Sequence, residues 1–165
     1  MDLKRIGRHL LMTHWKVRRA FPRRTLHAIE QAIAACETTH AGELRFVVEG
    51  ALAGWPLWRG QSARERAIDV FSQLRVWDTE HDNGVLIYVL LADRDVEIVA
   101  DRGIHARVGA HDWESICRAM ETAFGRADYE GGAVGGIRAV AEHLTRHFPA
   151  SGPRRNELPD RPVVL

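Results

Sequence analysis

The chain has 165 residues, 45% hydrophobic and 27% charged, which is the size and mix of one globular domain with a real core. It holds no run of 18 apolar residues, and its basic start lacks the apolar stretch of a secretory signal, so neither a membrane span nor a signal peptide is expected. The net charge of +1 hides an asymmetry: residues 1–24 carry eight Lys/Arg and one acid, leaving 15 basic and 21 acidic residues, net −6, in residues 25–165.

Leu3, Ile6, Leu10, Val17 and Phe21 recur at near-helical spacing, with Leu11, His14 and Trp15 beside them. This predicts one basic amphipathic helix over residues 3–19. Phe21-Pro22 breaks it. Leu26, Ile29, Ile33 and Cys36 stripe a second helix that ends near Thr39-His40. Leu44, Phe46 and Val48 alternate with Arg45, Val47 and Glu49 in a first strand. Residues 50–61, with Gly50, Gly54, Pro56 and Gly60, read as a loop. Trp55, Leu57 and Trp58 make that loop apolar, and a lid folded over the sheet edge is expected.

Ser62-Ala63-Arg64-Glu65 fits a capping box for a helix striped by Ala63, Ala67, Val70, Phe71 and Leu74. Val85–Leu91 is a buried strand, Ala92–Asp95 a polar turn, and Val96–Ala100 an antiparallel return. The expected register sets Leu91 against Val96, Ile87 against Ala100 and Val85 against Arg102. Asp112 is placed to cap a helix from Trp113 to near Gly125, and a last helix runs from 128–132 to Pro149. Residues 150–165, with Pro153, Pro159 and Pro162, read as a disordered tail. Cys36 and Cys117 fall on helix stripes, as free buried thiols of a reducing compartment do.

The expected order is therefore α-α-β-α-β-β-α-α. A helix between the first two strands makes them parallel, and apolar faces on several helices imply an α/β/α sandwich around a small mixed sheet. The units are a basic helix (1–21), the sandwich (22–149) and the tail (150–165).

The outer end of the hairpin gathers Asp78, Glu80, Asp82 and Asn83 on one side, and Asp101 and His105 on the other. Carboxylates and an amide from two meeting segments suit calcium, or magnesium with more water. The set lacks the Gly and terminal Glu of an EF-hand. Zinc at His81, His105 and His111 is the weaker expectation, since no H-E-x-x-H or Cys/His pairing is present. For catalysis, Asp82 or Asp101 would act as ligand or base, with Arg102 and Arg107 facing a phosphate. No Cys-x5-Arg motif and no P-loop is present, and no organic cofactor is expected. At the opposite sheet end Asp93-Arg94-Asp95 is expected only to make the turn, near Glu49. The basic head has three readings: docked through Leu3, Ile6 and Leu10, laid on an anionic membrane surface through residues 3–24, or bound to an acidic partner. The acidic body argues against nucleic acid.

Asp82-Asn83-Gly84-Val85-Leu86-Ile87-Tyr88-Val89, its return through Asp93–Ile98 and the turn Asp101-Arg102-Gly103-Ile104 resemble the TPM domain family, as does Gly42–Glu49 upstream. The resemblance covers about 25–148. It implies an α/β/α sandwich, and members are linked to acid phosphatase activity, calcium binding and the assembly or repair of membrane complexes. Most members carry a signal peptide, and many a C-terminal membrane helix; this sequence shows neither, which favours the cytoplasm, peripheral to the inner membrane. The expected function is an accessory interaction domain that binds a divalent cation beside a membrane-associated partner. The alternative is a weak metal-dependent acid phosphatase.

Overall fold

The first strand of the sequence becomes the middle of the sheet. β1 (Glu43–Glu49) runs parallel to β2 (Gly84–Leu90), which pairs antiparallel with β3 (Asp95–Ala100). On its other side β1 pairs in parallel with a short β4 (Val163–Val164), giving the order β3-β2-β1-β4. The structure is a computed structural model and describes residues 2–152 and 156–165.

The side-chain period of two sends Leu44, Phe46, Val48, Val85, Ile87 and Val89 to one face. There they pack on α3 (Arg23–Cys36), α7 (Ala110–Gly125) and α8 (Tyr129–His147), with Val17 of α2 (His14–Ala20) and Ile104 of α6 (Arg102–Val108) at the margin. Val47, Leu86, Tyr88 and Leu90 face the other way. They meet α5 (Ala63–Gln73), Leu57 of α4 (Gly54–Trp58) and Ile6 of α1 (Leu3–Leu10). This is the expected α/β/α sandwich with a mixed sheet. α5 starts on the capping box read from the sequence, Ser62 and Glu65 exchanging bonds.

The edge strand β3 is closed by side chains. Val96 N–H donates to Glu121 (3.0 Å), and Arg64 donates to the Ile98 carbonyl. Occupied outer groups keep the edge from pairing with another chain. Cys36 and Cys117 are both free, and burial pushes the Cys117 thiol up to about 12.

Five expectations need correction. The single helix over 3–19 is two helices, because Thr13 is extended and caps α2 through Lys16 N–H. The break lets Ile6 serve one face of the sheet and Val17 the other, which one straight helix cannot do. Residues 54–58 form a short helix, and it is Leu57 that closes the core while Trp55 and Trp58 stay 74% and 55% exposed. The hairpin register is shifted by two residues, pairing Val85 with Ala100 and Ile87 with Ile98. Leu91 and Ala92 donate to Glu49 and Gly50 carbonyls instead, and Arg94 (φ 58°) reverses the chain.

A further helix, α6, fills residues 102–108, and α7 starts at Ala110 because Gly109 (φ 86°) turns the corner there. Lastly, the tail read as disordered returns to the sheet. Glu43 accepts from the Glu157 and Leu158 amides, Arg45 donates to Pro159 and Arg161 carbonyls, and Leu165 N–H donates to Val48. Residues 153–155 of that segment lie outside the described residues.

Candidate functional site

The amino end of β2 and the carboxyl end of β3 meet where the acidic segments were expected to meet. The loop before β2 turns through Arg75 (φ 54°) and Asp82 (φ 50°), left-handed positions that aspartate tolerates better than most residues. Asp101 ends β3. Its N–H donates to Gly84 O (2.8 Å), and its Oδ1 accepts from Arg102 N–H (2.7 Å), which caps α6. The first turn of α6 rests on the loop: Ile104 N–H donates to Asp82 O (3.3 Å), and a Cβ on Gly103 would lie 2.6 Å from that same oxygen. Gly103 is therefore what lets the helix approach.

Asn83 is 1% exposed. Its N–H donates to Thr79 Oγ1 (3.2 Å) and its Nδ2 to Ala41 O (3.1 Å), tying the loop to the entry of β1. Two buried oxygens, Asn83 Oδ1 and Asp101 Oδ2, accept from no donor among the described residues. A buried acceptor without a donor costs about 1–3 kcal/mol unless something else satisfies it. Burial pushes the Asp101 carboxyl above the usual carboxylate range. The Arg102 amide opposes that push, and the charge of Asp82 adds to it.

The other expected ligands go elsewhere. Asp78 is exposed and pairs with Arg75 (2.6 Å). Glu80 is exposed, and its N–H donates to the Glu157 carboxylate (3.3 Å). His105 stands on α6 and lines a different cavity, with Asp95, Glu97 and Glu121 along β3 and α7. Arg107 donates to His147 O (3.2 Å) and covers the Phe148 ring, away from Asp82 and Asp101. Among the described residues no three of His, Cys, Asp and Glu gather as a metal-holding group. The sheet end thus keeps Asp82, Asn83 and Asp101 as one neighbourhood and releases Asp78, Glu80 and His105.

The opposite sheet end is richer than a turn. Asp93 accepts from Arg5 Nε (3.0 Å) and Nη2 (2.7 Å) and from His9 Nε2 (3.1 Å), and Arg8 reaches it at 3.4 Å. The His9 tautomer is fixed from behind: Nδ1 accepts from Leu52 N–H (2.9 Å), so Nε2 carries the proton. Nearby, Glu49 accepts from Tyr88 Oη (2.7 Å) and from both arms of Arg66 (2.8 and 3.1 Å). Burial first, and then Glu49, raises the Tyr88 hydroxyl well above its ordinary value. The sequence signal for the Asp93 network was Arg5 and His9, four apart on one helix face, opposite an acidic hairpin turn.

Fold and sheet end together define an α/β/α sandwich domain with buried, donor-free oxygens where the acidic loop meets the hairpin. The chain belongs to the TPM domain family, whose model matches residues 18–143. It is similar to the solution structure of the BA42 protein of the psychrophilic bacterium Bizionia argentinensis, at 30% identity and a TM-score of 0.74, covering 86% of this chain and 92% of that one. The N-terminal domain of a P. gingivalis protein shares the fold, at 19% identity and a TM-score of 0.57, covering 74% of this chain and 76% of that one. No curated protein matches the chain. Among the described residues no helix is long and apolar enough to cross a membrane.

Proposed function

We propose that this TPM domain is an accessory interaction module whose hairpin end holds a divalent cation, calcium before magnesium. The observation that carries the reading is the pair of buried oxygens, Asn83 Oδ1 and Asp101 Oδ2, that accept no hydrogen bond from the described residues. Calcium takes six to eight oxygens from carboxylates, carboxamides, carbonyls and water, and it satisfies acceptor atoms that no donor reaches. Asp82, Asn83 and Asp101 would hold it, with water completing the shell. A cation there would also offset the burial that now disfavours the Asp101 carboxylate. The partner-facing side of the reading rests on α4, which turns Trp55 and Trp58 outward, since tryptophans dominate interface hot spots. Its membrane side rests on exposed Leu10 and Leu11 among Lys4, Arg8 and Lys16.

The alternative, a metal-dependent acid phosphatase, draws on the raised Asp101 carboxyl beside Asp82. A carboxyl raised by burial is what a general acid needs to keep its proton.

The test is a calcium titration of the metal-free protein followed by amide NMR, with magnesium as control. Saturable shifts confined to 79–84 and 101–104 are expected. Asp101→Asn keeps the helix cap but removes a ligand charge, and should weaken binding by about tenfold. Flat spectra with both ions would sink the cation reading. Hydrolysis of p-nitrophenyl phosphate that needs the ion and is lost in Asp82→Asn would favour the phosphatase.

A further inference from the structure

A cavity of about 580 Å³ opens at the other end of the sheet, beyond the carboxyl end of β2. In open α/β sheets this is the end where small ligands bind, and the volume lies in the range of small-molecule sites, about 300–1,000 Å³. Val89 and Leu91 form its floor. One wall is aromatic: Phe124 and Tyr129 stack at 5.4 Å and 26°, braced from behind by Phe21.

The mouth is cationic. Lys16 and Arg19 reach it from α2, and Arg94 from the hairpin turn. Among the described residues no carboxylate forms an ion pair with any of the three. The one acid in the lining, Glu121, is engaged by the Val96 amide of the edge strand. Arg19 lies over the exposed Trp15 ring, 5.3 Å from its centroid, so its guanidinium stands at the rim on an apolar support. Lys16, also in the lining, donates to Leu11 O (2.8 Å).

We propose that this cavity binds a small organic anion: a carboxylate or phosphate monoester on an aromatic or short apolar body. The apolar body lies against Phe124, Tyr129 and Leu91, and the anionic head meets Arg19, Arg94 and Lys16. Three cations against the single charge of Glu121 leave the lining net positive, which selects against a neutral or cationic ligand of the same shape, because only an anion regains in the site what desolvation of its charge costs. Two arginines favour a planar or tetrahedral oxyanion over a single point charge. The site is independent of the cation-binding end, which lies at the opposite end of the same strands.

The experiment uses three probes of one shape on the full chain: 2-naphthoate, 2-naphthyl phosphate and the uncharged 2-naphthalenemethanol. Binding is followed by amide and indole NMR and by calorimetry. Both anions, or one of them, should bind saturably, with shifts centred on Trp15, Leu91, Phe124 and Gly125. Whichever anion binds more tightly names the head group. The alcohol should bind about tenfold more weakly, or worse, since a charge-assisted hydrogen bond contributes that much. Arg19→Ser, on an exposed position, and Arg94→Asn, which tolerates the left-handed backbone there, should each weaken the anion by several-fold, to about tenfold. Rising salt should weaken it too. Spectra that superimpose outside the cavity show that the variants are folded. Absence of saturable binding by both anions would overturn the proposal. So would equal binding of the alcohol, shifts that map elsewhere, or indifference to both arginine changes.

Discussion

Gly84 opens β2 at a point where no side chain fits. A Cβ there would lie 1.9 Å from the carbonyl oxygen of Val76, whose amide in turn is bonded to Phe71 O at 3.0 Å. The two nearest atoms, Val76 O and C, are backbone, and β2 is paired on both sides, so no side-chain rotation relieves the clash. Gly84→Ala should cost about 3 kcal/mol and lower the urea midpoint accordingly. Gly136→Ala is the contrast. Its Cβ would meet Sδ and Cγ of Met120 at 2.2 and 2.8 Å, side-chain atoms of a buried but flexible residue that repack more easily than a backbone carbonyl, and the cost should be smaller, about 1–2 kcal/mol. A Gly84→Ala protein as stable as the parent would show that the loop at Val76 is not held where the structure puts it. The glycine itself was legible in the sequence, as part of Asp82-Asn83-Gly84. Its reason was not, because the Val76 contact is made by a loop whose path no local pattern records. The same holds for Asn83, which reads as a loop ligand and proves to be 1% exposed, bonded to the chain before β1.

At the scale of elements, apolar period located most of the helices and strands, and charge decided how the N-terminal ones dock. One of the three readings of the basic head docked it through Leu3, Ile6 and Leu10. Ile6 is buried, but Leu3 and Leu10 are 70% and 73% exposed, and the helix is held by Arg5 and His9 on Asp93. Burial raises the Asp93 carboxyl, but the hydrogen bonds of Arg5 and His9 and the charge of Arg5 outweigh it and hold the group below the usual carboxylate range. Asp93→Asn leaves Arg5 without its anion in a nearly closed environment, and should cost about 3 kcal/mol. Hydrogen exchange should then rise across residues 3–10 while β2 stays protected. Protection of α1 unchanged by the substitution would mean that Ile6 and the His9–Leu52 bond suffice. The tail followed the same logic in reverse. Its composition reads as disorder, yet Glu43 and Arg45, charged residues on a central strand, bind its backbone. A buried charge in a strand asks for a partner, and alternation alone cannot say that the partner is more than 110 positions away.

For the molecule as a whole, two aspartates two residues apart set opposite slopes on stability. Asp95 faces the cavity along β3, where burial, with Glu97 and Glu121 adding repulsion, pushes its carboxyl up to about 6. A carboxyl raised in the folded state binds its proton more tightly there than in the unfolded chain. Its contribution is therefore fully present below the unfolded value near 4, and is lost as pH rises through about 6. Asp93, held low, behaves the other way: its contribution is present above about 4 and is lost as pH falls through the folded value. Together their contributions are greatest near pH 4, with the acid side ending in release of α1 and the decline from about 4 to 6 in repulsion at the β3 cavity. Asp95→Asn should remove only the second slope. Once solvent screening is allowed for, it should stabilise the protein by about 1 kcal/mol at pH 7.5, with the gain shrinking to nothing by about pH 4. Urea unfolding of parent and variant at pH 4, 5.5 and 7.5 measures this directly. Since Asp93 and Asp95 also act on each other and on Arg5, the double variant should depart from the sum of the single ones. A gain from Asp95→Asn that is the same at all three pH values would place its origin in packing or turn propensity and not in the titration of the carboxyl.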